Sequence, residues 1–276
     1  MFTLNCKGRI LTIDQPIVMG ILNINNDSFY TGSRFTNEEQ LLIMAEKMLT
    51  EGATILDIGG QSTRPGSERI NPEVELSRVL PAIEQIKKNF PEAFISIDTY
   101  HSLVARKAVE AGACIINDIS AGMMDEQLLD TVARLNVPYI LMHMKGTPQT
   151  MQQQVYYENV SLEILDYFIK RMELLRSKGI KDIILDPGFG FGKTIEHNFS
   201  LLKNLSKFQI LQCPILLGLS RKATVYKTLG VDAEEALNGT TVLNTIGLLN
   251  GASILRVHDT NEAKQAIQLV SKYTSS

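Results

Sequence analysis

Several features are scarce or missing in this chain of 276 residues, and each absence narrows what the protein can be. Cysteine occurs three times, at Cys6, Cys114 and Cys213. No pair has metal-ligand spacing, and an odd count makes a poor disulfide framework. Cys114 and Cys213 border apolar runs, which predicts buried, inert thiols in a reducing, cytoplasmic setting. No run approaches the roughly 18 apolar residues of a membrane span, and no apolar leader with a small-residue cleavage site opens the sequence. Neither membrane insertion nor export is therefore expected. A basic surplus is also missing: 27 basic against 30 acidic side chains leave a net charge of −3. That balance argues against a nucleic-acid partner, although a pocket can be basic on a neutral protein. Linkers, low-complexity tracts and composition breaks are lacking too, so a single domain over 1–276 is expected. Hydrophobic residues at 44% and charged residues at 21% exclude a disordered chain.

What is present is one repeated pattern. Eight short apolar runs rich in Ile, Leu and Val lie at 17–24, 54–58, 94–98, 114–118, 138–143, 182–186, 214–218 and 253–258. They lack polar alternation over their central residues, as strands covered on both faces do. Between them lie stretches of helical period at 38–51, 73–90, 102–111, 127–135, 160–178, 198–208, 233–249 and 262–273. Gly52, Gly112, Gly179 and Gly251 follow four of these, where a left-handed helix stop is wanted. Eight strand–helix units in a chain close to the typical barrel length of about 250 residues predict an α/β fold, a closed (β/α)8 TIM barrel. An open doubly wound sheet is the competing arrangement. A short hairpin turning at Lys7-Gly8 is expected to cover the N-terminal mouth.

Polar residues gather at one end of the predicted strands. The strands finish in Asn23, Asp57, Asp98, Asn117-Asp118, His143 and Asp186, then GLSRK at 218–222, then Arg256 and His258. One polar strand end means little, since strands often stop where water begins. Eight of eight, at the end where barrel enzymes keep their active sites, point to a shared polar mouth. Arg64, Arg221, Lys222 and Arg256 offer that mouth positive charge. The mixture suits a ligand with hydrogen-bond donors at one end and an anionic group at the other.

Seven strings in order carry a resemblance: MGILNINNDSF, ILDIGGQSTRPG, SIDT, INDISAG, ILDPGFGFGK, GLSRK and RVHD. Together they resemble the dihydropteroate synthases over about 17–259, nearly the whole chain. The resemblance implies a transferase of folate biosynthesis that joins a pterin diphosphate to 4-aminobenzoate with release of diphosphate. It implies a pterin pocket of Asp98, Asn117, Met142, Asp186, Phe191 and Lys222. A pterin has an amine and a ring N–H on one edge, a pair that one carboxylate accepts well. It implies a diphosphate subsite of Asn23, Arg64, Arg256 and His258, with Mg2+ on the Asn23 oxygen, the hard donor this ion prefers. It implies an aminobenzoate subsite of Phe29, Thr63, Pro65, Ser220 and Arg221. Asp98, Lys222, Asp27 and Arg64 form the implied catalytic set. A homodimer is implied as well, through the segment around 243–249.

Simpler readings exist for single residues. Asp186 could be a turn residue before Pro187-Gly188, Asn117 a buried residue bonded to backbone, Ser220 a helix N-cap, and His258 a structural strand-end histidine. The first loop departs from the family pattern, with Asn25-Asn26 where Thr-Pro is usual and Thr31 where an Asp is frequent. Loss of proline predicts a looser loop. Competing functions are a pterin barrel that passes a methyl group to a corrinoid protein, a poorly active or non-catalytic pterin binder, and an aldolase. The joint presence of STRPG, SRK and RVHD counts against the first. Lys222 lies past its strand rather than ending it, which counts against the last.

Overall fold

The computed structural model describes residues 1–24, 37–62, 66–67, 69–151 and 155–276. The first element is the predicted hairpin, β1 (Phe2–Cys6) antiparallel to β2 (Arg9–Ile13). It turns on Lys7 and Gly8, both at positive φ (56° and 88°), as a tight hairpin turn demands.

A second sheet holds β3 (Ile17–Asn23), β4 (Ala53–Gly59), β5 (Phe94–Asp98), β6 (Ile115–Asp118), β7 (Tyr139–Met142), β8 (Ile183–Asp186), β9 (Leu216–Leu217) and β10 (Ile254–Val257). Its order is β8-β7-β6-β5-β4-β3-β10-β9, with every pairing parallel. A parallel bridge from Leu185 to Ile215 joins the two ends of that order. The open-sheet alternative is thereby excluded and the eight-stranded barrel stands. Around it run α1 (Asn37–Thr50), α2 (Pro72–Asn89), α3 (Ser102–Ala111), α4 (Leu128–Leu135), α5 (Val160–Ser177), α6 (Ile195–Lys203), α7 (Ala223–Leu229), α8 (Leu237–Leu249) and α9 (Thr260–Ser275).

Two predicted helices are shorter than expected. The stretch 198–208 divides at Asn204 into α6 and a 3-10 turn, Leu205–Leu211, which buries Leu205 and Phe208. The stretch 233–249 divides at Ala236 into a 3-10 turn, Ala233–Glu235, and α8. Apolar spacing persisted across both breaks, so periodicity alone could not find them. The four predicted glycine stops all have positive φ, between 86° and 131°.

Strand alternation decides what fills the barrel. Outward residues such as Leu56, Ile58, Ile95, Ile97 and Leu141 join the helices in the main apolar core. Inward residues at the strand starts, Met19, Ile55, Ile115, Ile140, Ile184, Leu216 and Ile254, form a separate layer capped by Leu4, Cys6, Leu11 and Ile13 of the hairpin. The hairpin thus plugs the N-terminal mouth. Because side chains repeat every two residues along a strand, Asp57 and Arg256 share the inward face of Ile55 and Ile254, one layer higher.

Barrel enzymes of this kind keep stability at one end and chemistry at the other. Leu4→Ala should therefore lower unfolding free energy by about 2–5 kcal/mol in urea melts while leaving turnover within twofold. A large loss of turnover in folded Leu4→Ala would show that the two ends are not independent.

Candidate functional site

Arg256 lies across the barrel mouth between two carboxyl groups. Its Nε donates to Asp57 Oδ2 at 2.6 Å and its Nη2 to Asp98 Oδ2 at 2.7 Å. Asn117 Nδ2 donates to the same Asp57 oxygen at 3.0 Å. Asp57 is wholly buried, and its Oδ1 has no partner among the described residues. The bland alternative for Asn117, a bond to backbone, gives way to this side-chain bond.

Burial pushes the Asp98 carboxyl from 3.8 up to about 7; Arg256 opposes the shift, while Asp57, Asp118 and Asp186 add to it. Asp186 is raised too, again chiefly by burial, with Lys222 the largest opposing influence. Its Oδ1 accepts the Gly188 N–H at 2.8 Å. Lys222 donates to the Phe189 carbonyl at 2.6 Å and sits 4.6 Å from the centre of the Phe191 ring. Burial lowers its pKa from 10.5 to about 8, with Asp186 and Asp98 pulling the other way.

The six residues predicted for the pterin pocket come together. Asp98, Asn117, Met142, Asp186, Phe191 and Lys222 line one cavity, completed by Ile119, Gly218 and Arg256. Its lining combines apolar Met142 and Phe191, the carboxyl groups of Asp98 and Asp186, and the cations Lys222 and Arg256.

Other predicted residues sit around this cavity. Asn23 ends β3, exposed, with its Oδ1 facing the same small space beside Gly59 as Asp98 Oδ2. Ser220 is not a helix cap: Lys222 holds the cap position of α7, and Ser220 Oγ lies 2.9 Å from His258 Nδ1. Arg221 is gripped by Asp259 through Nε (2.9 Å) and Nη2 (2.8 Å), and its Nη1 donates to the carbonyls of Ala233 and Glu234. Asp27, Phe29, Thr63, Arg64, Pro65 and the unusual positions Asn25, Asn26 and Thr31 lie outside the described residues.

Sequence reasoning missed two contributors. Asp57 was visible only as a strand end; its inward register beside Ile55 was the available signal. Lys193, buried at the end of the glycine-rich turn after β8, lies beside His143 at 3.1 Å; it closes the ILDPGFGFGK string, in which the resemblance implies site roles for Asp186 and Phe191 alone.

The family model for pterin binding enzymes matches residues 19–258. Dihydropteroate synthase of Escherichia coli K12 is 41% identical over 266 residues, which is 96% of this chain and 94% of that protein. The Haemophilus influenzae dihydropteroate synthase is also 41% identical, covering 93% of each chain. The chain belongs to the dihydropteroate synthase family. These are transferases of the folate pathway. Among solved members, the Yersinia pestis dihydropteroate synthase in a sulfonamide drug complex superposes with a TM-score of 0.94 at 38% identity, over 100% of both chains. The Xanthomonas albilineans dihydropteroate synthase in complex with 7,8-dihydropteroate gives 0.89 at 35% identity, again over 100% of both chains.

The raised Asp98 carboxyl makes a pH prediction for this family member. A carboxyl whose folded pKa exceeds its unfolded value binds its proton more tightly in the folded chain. Its favourable contribution is full below about pH 4 and is lost as pH rises through about 7. Asp98→Asn cannot titrate, so its melting temperature relative to the unmutated chain should climb between pH 5 and pH 8. A constant difference across that range would contradict the raised value.

Proposed function

We propose that the chain condenses 6-hydroxymethyl-7,8-dihydropterin diphosphate with 4-aminobenzoate, releasing diphosphate and forming 7,8-dihydropteroate. The observation that carries this reading is the single cavity that unites Asp98, Asn117, Met142, Asp186, Phe191 and Lys222. Dihydropteroate and 4-aminobenzoate in solved family members give it further support.

Asp186 accepts the paired N–H groups of the pterin edge, which relieves a buried carboxylate that takes one internal hydrogen bond from Gly188. Asn117 and Asp98 meet other ring nitrogens. Lys222 donates to the ring carbonyl side while remaining over Phe191. As the methylene C–O bond breaks, its electron pair leaves with diphosphate and positive charge spreads into the pterin ring. Asp98 then faces that charge from the cavity wall, where a preorganised carboxylate acts more strongly than it would in water. The arylamine lone pair forms the new C–N bond, and the amine proton leaves to solvent.

Asn23, Arg64, Arg256 and His258 receive the departing diphosphate. Arg256 is held in register for this by Asp57 and Asp98. An Mg2+ ion fits the donors present: Asn23 presents a hard oxygen at the mouth, and Mg2+ keeps most of its waters and needs few protein ligands. Bound there, it would supply positive charge to the leaving group. Aminobenzoate is held by Phe29, Thr63, Pro65, Ser220 and Arg221. The Asp259 grip aligns the Arg221 plane, and Ser220 is oriented by His258. A sulfonamide would compete for this subsite.

Two copies pair through α8, where Val242, Ile246 and Leu249 are exposed at helical spacing on one face. A single-chain mass by sedimentation velocity would count against that. A cytoplasmic setting suits three cysteines that are all buried and free. No helix among the described residues is long and apolar enough to cross a membrane.

The deciding assay is pyrophosphate release, which should require both substrates and Mg2+. Asp186→Ala should lower kcat/KM by about 10²–10⁴, the effect of losing one or two charge-assisted hydrogen bonds. Absence of dihydropteroate with the unmutated chain would remove the synthase reading and leave a pterin-binding protein. Arg256→Ala should weaken binding of pterin diphosphate more than of the uncharged hydroxymethylpterin in calorimetry; equal losses would contradict the division of the site.

A further inference from the structure

The turn after β8, from Asp186 to Lys193, supplies much of the cavity. Gly188 N–H holds Asp186, the Phe189 carbonyl holds Lys222, and Phe191 forms the wall. Glycine-rich turns are intrinsically loose, because glycine restricts its own backbone so little. Something must hold this one to a geometry that a rigid ring can recognise.

Lys193 is 4% exposed, and its ammonium is directed back into the turn. Its Nζ lies 2.8 Å from the Gly188 carbonyl, 3.1 Å from the Phe191 carbonyl, 3.1 Å from His143 Nδ1 and 3.4 Å from the His143 carbonyl. These partners come from both ends of the turn and from the residue that follows β7. The approach is close enough that a Cβ on Gly188, which has φ of 70°, would stand 1.9 Å from the His143 carbonyl oxygen. His143 is suited to accept, because burial holds its pKa well below 6.5 and leaves the ring neutral. Its ring is fixed edge-on against Tyr167 at 4.8 Å.

We propose that Lys193 is a positioning residue for the pterin substrate, its buried ammonium tying the 188–191 turn to the end of β7 and so fixing the pocket wall. The inference rests on the synthase reading above.

A purely structural role makes a different forecast. The partners of Lys193 are carbonyls and an imidazole; burial lowers its pKa from 10.5 to about 7, and Asp186 opposes that shift only from longer range. Burial of such a charge is costly, and its removal leaves neutral acceptors rather than an uncompensated buried ion. Loss of the ammonium should therefore loosen the turn more than it unfolds the barrel.

The test is steady-state kinetics on Lys193→Met beside the unmutated chain, with melting temperatures for both. The expected result is a rise of tenfold or more in KM for pterin diphosphate, with kcat within threefold, KM for aminobenzoate within twofold, and cooperative melting retained. Phe191→Ala should then cost at least threefold less in the Lys193→Met background than alone, because the wall it removes is already displaced. Unchanged pterin KM in folded Lys193→Met, or equal changes in both KM values, would overturn the proposal. Should Lys193→Met fail to fold, His143→Ala carries the test: it keeps the lysine and the carbonyls, and a rise in pterin KM alone supports the role. No rise, or a rise for both substrates, overturns it. An unmutated chain that releases no pyrophosphate would instead overturn the synthase reading, and this inference with it.

Discussion

The contact on which the mouth of this barrel depends is the guanidinium of Arg256 between Asp57 and Asp98. Two carboxyl groups so deeply buried repel one another and lose hydration. A single arginine, with donors in a fixed fork, meets one with Nε and the other with Nη2. Asn117 adds a neutral donor to the shared side of Asp57. Three strands that are not all neighbours, β4, β5 and β10, are thereby tied at their C-terminal ends. In the proposed reaction the same contact brings a positive charge to the departing diphosphate, so that structure and chemistry would use one side chain.

That arrangement follows from strand period. Ile55 and Ile254 belong to the apolar layer sealed by the hairpin, and the residues two positions later are Asp57 and Arg256. Parallel pairing sets Arg256 beside Met19 and Asp57 beside Ile21, two residues further along β3, and the long arginine side chain spans that offset. A one-residue slip of register would turn Asp57 outward into the helix-facing core and bring Leu56 into the mouth. The apolar plug below therefore matters to the polar mouth above: it stabilises the register that the mouth requires.

Much of this was legible in the sequence, for physical reasons that also mark where legibility ended. Strands buried on both faces leave unbroken runs of Ile, Leu and Val, so eight strands could be counted. Strand ends are local, so Asp98, Asn117 and Asp186 could be named as neighbours around a mouth. Pairings between distant residues were not local. That Arg256 meets Asp57 across 199 residues, or that Arg221 is gripped by Asp259, depends on side-chain direction after closure. Lys193 was hidden for a related reason: a lysine at the start of a helix reads as solvated unless the fold turns it inward. The helix break at Asn204 was masked by Leu205 and Phe208, which stay buried in the 3-10 turn and so keep the period.

Comparison of Asp98 with Asp186 indicates how the cavity prepares for its ligand. Both are raised by burial, but Asp98 has a cation in direct contact, while Lys222 and Lys193 reach Asp186 only through space. Asp98 thus has one oxygen engaged within the protein, yet burial still holds its carboxyl up at about 7. Asp186 has a backbone N–H on one oxygen and a surplus of accepting capacity directed into the cavity. A ligand that brings two N–H donors on one edge restores to Asp186 what burial removed, and an uncharged aromatic ring without such an edge does not. The cost of keeping a buried carboxylate incompletely paired in the free protein is thus returned on binding, selectively, by a donor pair of that geometry.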